Sequence, residues 1–387
     1  MENTWWTQPE QLDDFQKAVV ALPLGGDHLV LGPPGSGKTN LLVLRATHLY
    51  AAGIKNISVL TFGRVLREFL ITGTDNYPFP DNKIQTYVAW GANMVVQAGG
   101  TFDSSGDFRD VRHRLLSQLR DIASRRDREN QQDCILLDEV QDYSVEEVNA
   151  IRAFAKNVFV VGDDKQRIYD ESGSIEMLRS SISSIKELPY HYRNGIKICR
   201  VADGIRGLLD DPDGLEANSN YDEAKFPSTV TVRGPLSLRD QVAAAIPDIA
   251  TQLRAYPESI IGVLSPTNKG LTEIWNEISA SSLASNAQLQ QFTEGYDALD
   301  LDRRIVVATI HGAKGLEFRA LHLLGMDHLS KFKKLQKNVA YTAVTRAKTS
   351  LTIYHERGLP GYLESGIVGA QGGVVTPPPL ADLFKRK

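Results

Sequence analysis

The chain has 387 residues, 42% of them hydrophobic and 23% charged, and a formal net charge of −4. That is enough apolar material for two ordinary cores, and the slight acidity excludes a histone-like polycation while leaving room for a local basic groove. Its two cysteines, Cys134 and Cys199, exclude a disulfide framework and indicate no metal site. Met1-Glu2-Asn3-Thr4-Trp5-Trp6-Thr7-Gln8 lacks the basic and apolar regions of a signal peptide, and no apolar run is long enough to span a bilayer. A cytoplasmic protein without a membrane partner is expected.

The first predicted strand, His28-Leu29-Val30-Leu31, runs into Gly32-Pro33-Pro34-Gly35-Ser36-Gly37-Lys38-Thr39 and then a helix opening at Asn40. Every fixed position of the phosphate-binding pattern G-x-x-x-x-G-K-[ST] is satisfied in the strand-loop-helix context it requires. Glycines let the backbone N–H groups turn inward around a polyphosphate, and the helix adds the positive end of its dipole. ATP and Mg²⁺ are the expected ligands, with Lys38 on the β- and γ-phosphates and Thr39 on the metal.

Further along, Cys134-Ile135-Leu136-Leu137 predicts a core strand ending in Asp138-Glu139. Asp138 suits a Mg²⁺ ligand and Glu139 a base that orients and deprotonates water. The same acids could instead cap the helix opening near Ser144-Val145-Glu146-Glu147. A third strand, Val158-Phe159-Val160-Val161, leads to Gln166, long and uncharged enough to sense a γ-phosphate. Between Phe62 and Cys134, Asp107–Arg128 carries Arg109, Arg112, Arg114, Arg120, Arg125, Arg126 and Arg128 among acids. This reads as a solvated helix, with phosphate tracking as the alternative.

In the second half, strands are predicted at Thr229–Val232, Ile260–Leu264, Arg304–Ala308 and Ser350–Tyr354, with helices at Leu238–Arg254 and Leu271–Ser279. Alternating strands and helices predict an α/β fold with parallel sheets. Asp210–Gly214 reads as a solvated turn and Thr376–Pro379 as a stiff linker.

The ordered motifs resemble the UvrD/Rep-type superfamily 1 DNA helicases along nearly the whole chain. Gln16-Lys17-Ala18-Val19 resembles the adenine-reading segment, Leu60-Thr61-Phe62 motif Ia, and Ile84-Gln85-Thr86-Tyr87 the following motif on the nucleic-acid face. Leu137–Asp142 is similar to motif II, Val161–Tyr169 to motif III and Leu188–Asn194 to motif IV. Thr309–Phe318 is similar to motif V and Tyr341–Lys348 to motif VI. The resemblance implies two RecA-like domains of the P-loop NTPase class, with ATP between them. The first would span 1–187 with a reduced helical insertion near 77–128, the second 188–372, followed by a tail at 373–387.

For individual residues the resemblance implies Gln16 on adenine, Tyr192 stacked on the base and Glu317 on the ribose. Gly32 to Asn40 would cradle the phosphates and Gly315 would join the nucleotide site. Arg193 would touch the γ-phosphate and Arg346 act as an arginine finger. Bland alternatives are close packing for Gly315 and surface ion pairs for the arginines. DNA contacts would fall to Phe62, Thr86, Tyr87 and His311; Phe62, Tyr87 and Trp90 are possible base-stacking platforms, and each could equally be core.

The implied activity is ATP-driven movement on single-stranded or partly duplex DNA, 3′ to 5′. An alternative is a DNA-sensing ATPase in a repair or phage-defence assembly, and RNA remains open as the strand. Where the family usually places a base-stacking aromatic, this chain has Asp170-Glu171-Ser172-Gly173, which favours translocation over efficient unwinding. A nuclease or a sliding clamp is a candidate partner, the latter through Leu380-Ala381-Asp382-Leu383-Phe384, which could equally pack back on the second domain.

Overall fold

In the computed structural model the described residues are 9–72, 78–125, 130–163, 166, 173–290, 299–300, 302–329 and 334–371. They form two compact units. One comprises Met1–Arg193, Gln288–Arg304 and Ala308–Leu316; the other comprises Asn194–Ala287, Ile305–Val307 and Glu317–Lys387.

In the first unit, α1 (Asp14–Val20) is opened by a capping box in which Asp13 accepts from the Gln16 N–H and the Gln16 side chain accepts from the Asp13 N–H. There follow β1 (His28–Leu31), α2 (Lys38–Ala51), β2 (Ile57–Thr61), α3 (Arg64–Thr72), β3 (Ile84–Thr86), α4 (Tyr87–Gln97) and α5 (Phe108–Ser124). Then come β4 (Cys134–Leu137), α6 (Val145–Arg152), β5 (Val158–Gly162), α7 (Ser174–Ser181) and β6 (Ser184–Glu187). A second capping box, between Ser144 and Glu147, opens α6.

The first sheet runs β3-β2-β4-β5-β1-β6 with every neighbouring pair parallel. All residues of β1, β2, β4 and β5 are buried, as expected of parallel strands covered on both faces. This stacks the C-terminal ends of β1, β4 and β5 side by side, at the edge where open α/β sheets bind ligands. The insertion consists of α4 and α5, which bury Trp90, Met94, Leu115 and Leu119 in the core.

The second unit contains α8 (Ile196–Arg206), β7 (Thr229–Arg233), α9 (Leu238–Ala255), β8 (Ile261–Ser265) and α10 (Asn268–Ser279). The chain continues through β9 (Ala287–Gln290), β10 (Ile305–Thr309), β11 (Phe318–Leu323), α11 (Lys334–Val344), β12 (Ala347–Tyr354) and α12 (Gly361–Ala370). The six-stranded order is β7-β12-β11-β8-β10-β9, with β7, β12, β11 and β8 paired in parallel. Both units are α/β layers built on a six-stranded sheet, and no described helix is long and apolar enough to cross a membrane.

The expected division at residue 187 differs from the observed one. Leu188 donates its N–H to the Leu31 carbonyl at 2.8 Å, and Tyr192 donates to the Gly35 carbonyl at 3.1 Å, so 188–193 stay with the phosphate loop. The segment 308–316 also joins the first unit although it begins within β10, a strand of the second sheet.

Candidate active site

The loop after β1 is shaped by contacts only glycine permits. Gly35 and Gly37 have φ of +76° and +84°, and a Cβ on Gly35 would lie 2.4 Å from the Arg193 Cβ. Lys38 points back into this loop, donating to the carbonyls of Gly32 at 2.7 Å and Pro33 at 2.8 Å. Burial lowers the Lys38 pKa, opposed by the charges of Asp163, Glu139 and Asp138. Ser36 closes the turn through its Oγ on the Pro33 carbonyl at 2.9 Å.

Across the loop, the Thr39 hydroxyl donates to Asp138 Oδ2 at 2.9 Å. Burial, then the charge of Glu139, push the Asp138 carboxyl up to about 7. Such a carboxylate gains from a cation, and a hydroxyl beside a carboxylate is the oxygen donor set Mg²⁺ takes. The residues fit Mg²⁺ with a polyphosphate.

Glu139 has φ 51° and ψ 47°, a left-handed conformation rare for a residue with a side chain. Gln141 donates through Nε2 to Glu139 Oε2 at 2.5 Å and accepts the Asp163 N–H on Oε1 at 2.9 Å. Asp142 forms a buried ion pair with Lys314, whose Nζ also donates to the Gln166 carbonyl at 3.2 Å. The structure thus gathers Lys38, Thr39, Asp138, Glu139, Gln166 and Lys314 within the first unit.

Other expected residues are placed differently. The Gln16 amide donates to the Ser36 carbonyl at 3.0 Å and caps α1, so here it braces the phosphate loop. Asn40 is buried near the start of α2. Tyr192, 39% exposed, donates to Asp13 Oδ2, and the neighbouring Phe15 and Tyr190 rings meet edge to face at 5.9 Å. These two exposed aromatics were missed; their adjacency to Gln16 and Tyr192 was the available signal. Gly315 has φ +89° and packs closely on Leu66, where a Cβ would sit 2.9 Å from the Leu66 Cβ.

In the second unit, Arg346 is 2% exposed and donates from Nε to the Thr342 carbonyl at 3.3 Å. This excludes the surface ion-pair reading for Arg346, because its guanidinium stem lies inside the unit. Glu317 pairs with Lys348 at 3.0 Å. Asn194 Nδ2 donates to the carbonyls on both sides of Arg346, Thr345 at 2.9 Å and Ala347 at 2.6 Å.

Two of the expected strand contacts need correction. Tyr87, 1% exposed, meets Tyr143 at 5.5 Å in the core, and Phe62 packs edge to face on Phe108 at 5.6 Å and Tyr143 at 5.2 Å. Neither ring offers a face to a base in this conformation. Trp90 is likewise enclosed, and the Thr86 hydroxyl caps α4 by accepting the Ala89 N–H at 3.2 Å. Burial lowers the pKa of His311. The solvated reading of α5 fails at Arg112, which is buried, bonds Glu147 and donates to the Asp142 carbonyl at 3.1 Å. Its place beside Val111, Leu115 and Leu119 on the apolar stripe was the missed signal. Asp164, Lys165, Arg167–Ser172, Arg126, Arg128 and the tail 373–387 lie outside the described residues.

Two families match the chain: an AAA domain over residues 16–172 and the UvrD-like helicase C-terminal domain over residues 304–354. These matches support the resemblance of the chain to the UvrD/Rep-type superfamily 1 helicases. A "Probable DNA helicase" of Mycoplasma pneumoniae (strain ATCC 29342 / M129 / Subtype 1) is 26% identical over 243 residues, covering 56% of this chain. The chain spans 42% of that relative's length. Solved structures similar to it include a PRRSV helicase, at 15% identity and TM-score 0.41 over 88% of this chain and 54% of that one. The arterivirus nonstructural protein 10 helicase gives 16% identity and TM-score 0.42 over 90% and 63%. The AAA match falls on the phosphate-loop unit, and the helicase C-terminal match on the segment from β10 to β12.

Proposed function

We propose that this chain is an ATP-hydrolysing motor that moves on single-stranded DNA, 3′ to 5′. The observation that carries the reading is the hydrogen bond from Thr39, beside Lys38 at the end of the phosphate loop, to Asp138 at the end of β4. Thr39 with Asp138 would hold Mg²⁺, which would supply positive charge against the negative charge developing on the phosphates. Lys38 would turn from the Gly32 and Pro33 carbonyls to the β- and γ-phosphates. Glu139 accepts the proton of the attacking water as Gln166 orients it. Arg193 and Arg346 stabilise charge on the transferring phosphoryl group, and Glu317 reads the ribose. Repeated cleft closure and reopening gives alternating grip on the strand.

A second reading, a DNA-sensing ATPase of a repair or defence assembly with little unwinding, is favoured by the enclosure of Phe62 and Tyr87, which removes two stacking platforms. Turnover measured with and without single-stranded DNA, followed by unwinding of a forked duplex, separates the two. Stimulated turnover with strand separation supports the helicase; stimulated turnover alone supports the sensor; turnover indifferent to DNA removes both. A cytoplasmic location and a nuclease or clamp partner belong to the same proposal.

A further inference from the structure

Gln141 received no role beyond its place in the motif II string, yet it joins two strand ends of the site. It sits in the short turn Val140–Asp142 after β4, buried, and its side chain spans from Glu139 to the end of β5. An N–H can only donate, so the Asp163 N–H at 2.9 Å fixes Oε1 on that side of the amide. Nε2 is therefore held toward Glu139 Oε2, at 2.5 Å, and the amide has no second orientation that satisfies both neighbours. The approach depends on Gly162, where a Cβ would fall 3.0 Å from Gln141 Oε1 and 2.7 Å from the Val140 Cγ1.

We propose that Gln141 is a positioning residue that holds the Glu139 carboxylate in its water-activating orientation and ties it to the backbone of the β5 turn carrying Gln166. This deepens the reading above and rests on Glu139 being the base. A directed donor on Oε2 narrows the rotamers open to the Glu139 carboxylate; without it the side chain samples more of them from a backbone already in the left-handed region. Because Asp163 N–H lies only three residues before Gln166, a shift of that turn is felt at Glu139 through one side chain.

The test uses the full chain, Mg-ATP and oligo(dT), with variants Gln141→Met, Gln141→Glu, Glu139→Gln and the double variant Glu139→Gln/Gln141→Met. Gln141→Met should lower kcat about ten- to a hundredfold with KM and fluorescent-ATP affinity nearly unchanged, the size a misplaced reacting group produces. The double variant should turn over no more slowly than Glu139→Gln alone, since both changes disable one unit. Wild-type kcat in Gln141→Met, a change confined to KM, or losses that multiply in the double variant would overturn the inference. If Gln141→Met melts below the assay temperature, Gln141→Glu decides. It keeps the size and the acceptor for Asp163 but replaces the donor by a repelling oxygen, so wild-type kcat there overturns the proposal equally. Wild-type turnover in Glu139→Gln would instead remove the base itself, a failure of the underlying reading seen before Gln141 is judged.

Discussion

Lys314 donates from Nζ to Asp142 Oδ2 inside the first unit, with side-chain exposures of 8% and 0%. Burial pushes the Asp142 carboxyl up to about 6, opposed chiefly by the Lys314 charge. Removing one member leaves the other charge enclosed and unpaired. Lys314→Met should destabilise the first unit by about 3–5 kcal/mol, whereas Lys314→Met with Asp142→Leu should recover much of that loss. Urea melts check this; equal stability of the single variant and wild type would show that the pair contributes nothing.

Hydrolysis should separate from binding at the β4 end. Glu139→Gln keeps the shape of the side chain while removing its charge and the proton acceptor, so Mg-ATP affinity should persist and turnover should fall by about 10²–10⁴-fold. Lys38→Ala should weaken both, because its ammonium serves bound phosphates throughout. Nucleotide titration beside single-turnover hydrolysis measures the two quantities.

Arg346 gives a kinetic prediction of a different form. Arg346→Ala should reduce kcat by about 10³-fold or more while single-strand affinity without nucleotide stays near wild type. Unaltered kcat would mean that its enclosure between Thr342 and β12 is its entire purpose.

The second unit should be acid-labile through His322. This imidazole lies between Tyr354 OH at 3.0 Å and Gln252 Oε1 at 2.9 Å, and burial lowers its pKa to about 3. The unfolded chain binds a proton near the ordinary histidine value of about 6.5 while the folded chain does not, so stability is intact above that pH and declines below it toward 3. The slope should approach about 1.4 kcal/mol per pH unit in that window. His322→Gln should flatten the decline between pH 6.5 and 4, read from denaturant midpoints; an unchanged slope would assign the acid sensitivity elsewhere.

The phosphate loop and the Asp138-Glu139 pair were legible because their chemistry demands fixed spacing on a contiguous stretch. Strands β7, β8, β10 and β12 were legible from apolar runs bounded by polar residues. Partner choice was not. Arg112 finds Glu147, Lys314 finds Asp142, and Gln141 finds Asp163 only after separate strands are laid side by side. Phe62 and Tyr87 show the converse difficulty, since an aromatic at a strand end has the same letters whether it faces a groove or the insertion helices. The unit boundary was misplaced because Leu188 and Tyr192 are held by backbone hydrogen bonds, which no side-chain pattern announces.

The first unit is discontinuous in sequence, and this has a consequence for the order in which the protein is made. When synthesis has reached Arg193, all six strands of the first sheet exist, but Ala308–Leu316 has yet to be translated. Until it emerges, the nascent unit holds Asp142 without Lys314, and α3 presents Leu66 without Gly315 against it. A ribosome stalled midway therefore displays a first unit that lacks its closing segment, and that unit is completed only as later parts of the chain emerge.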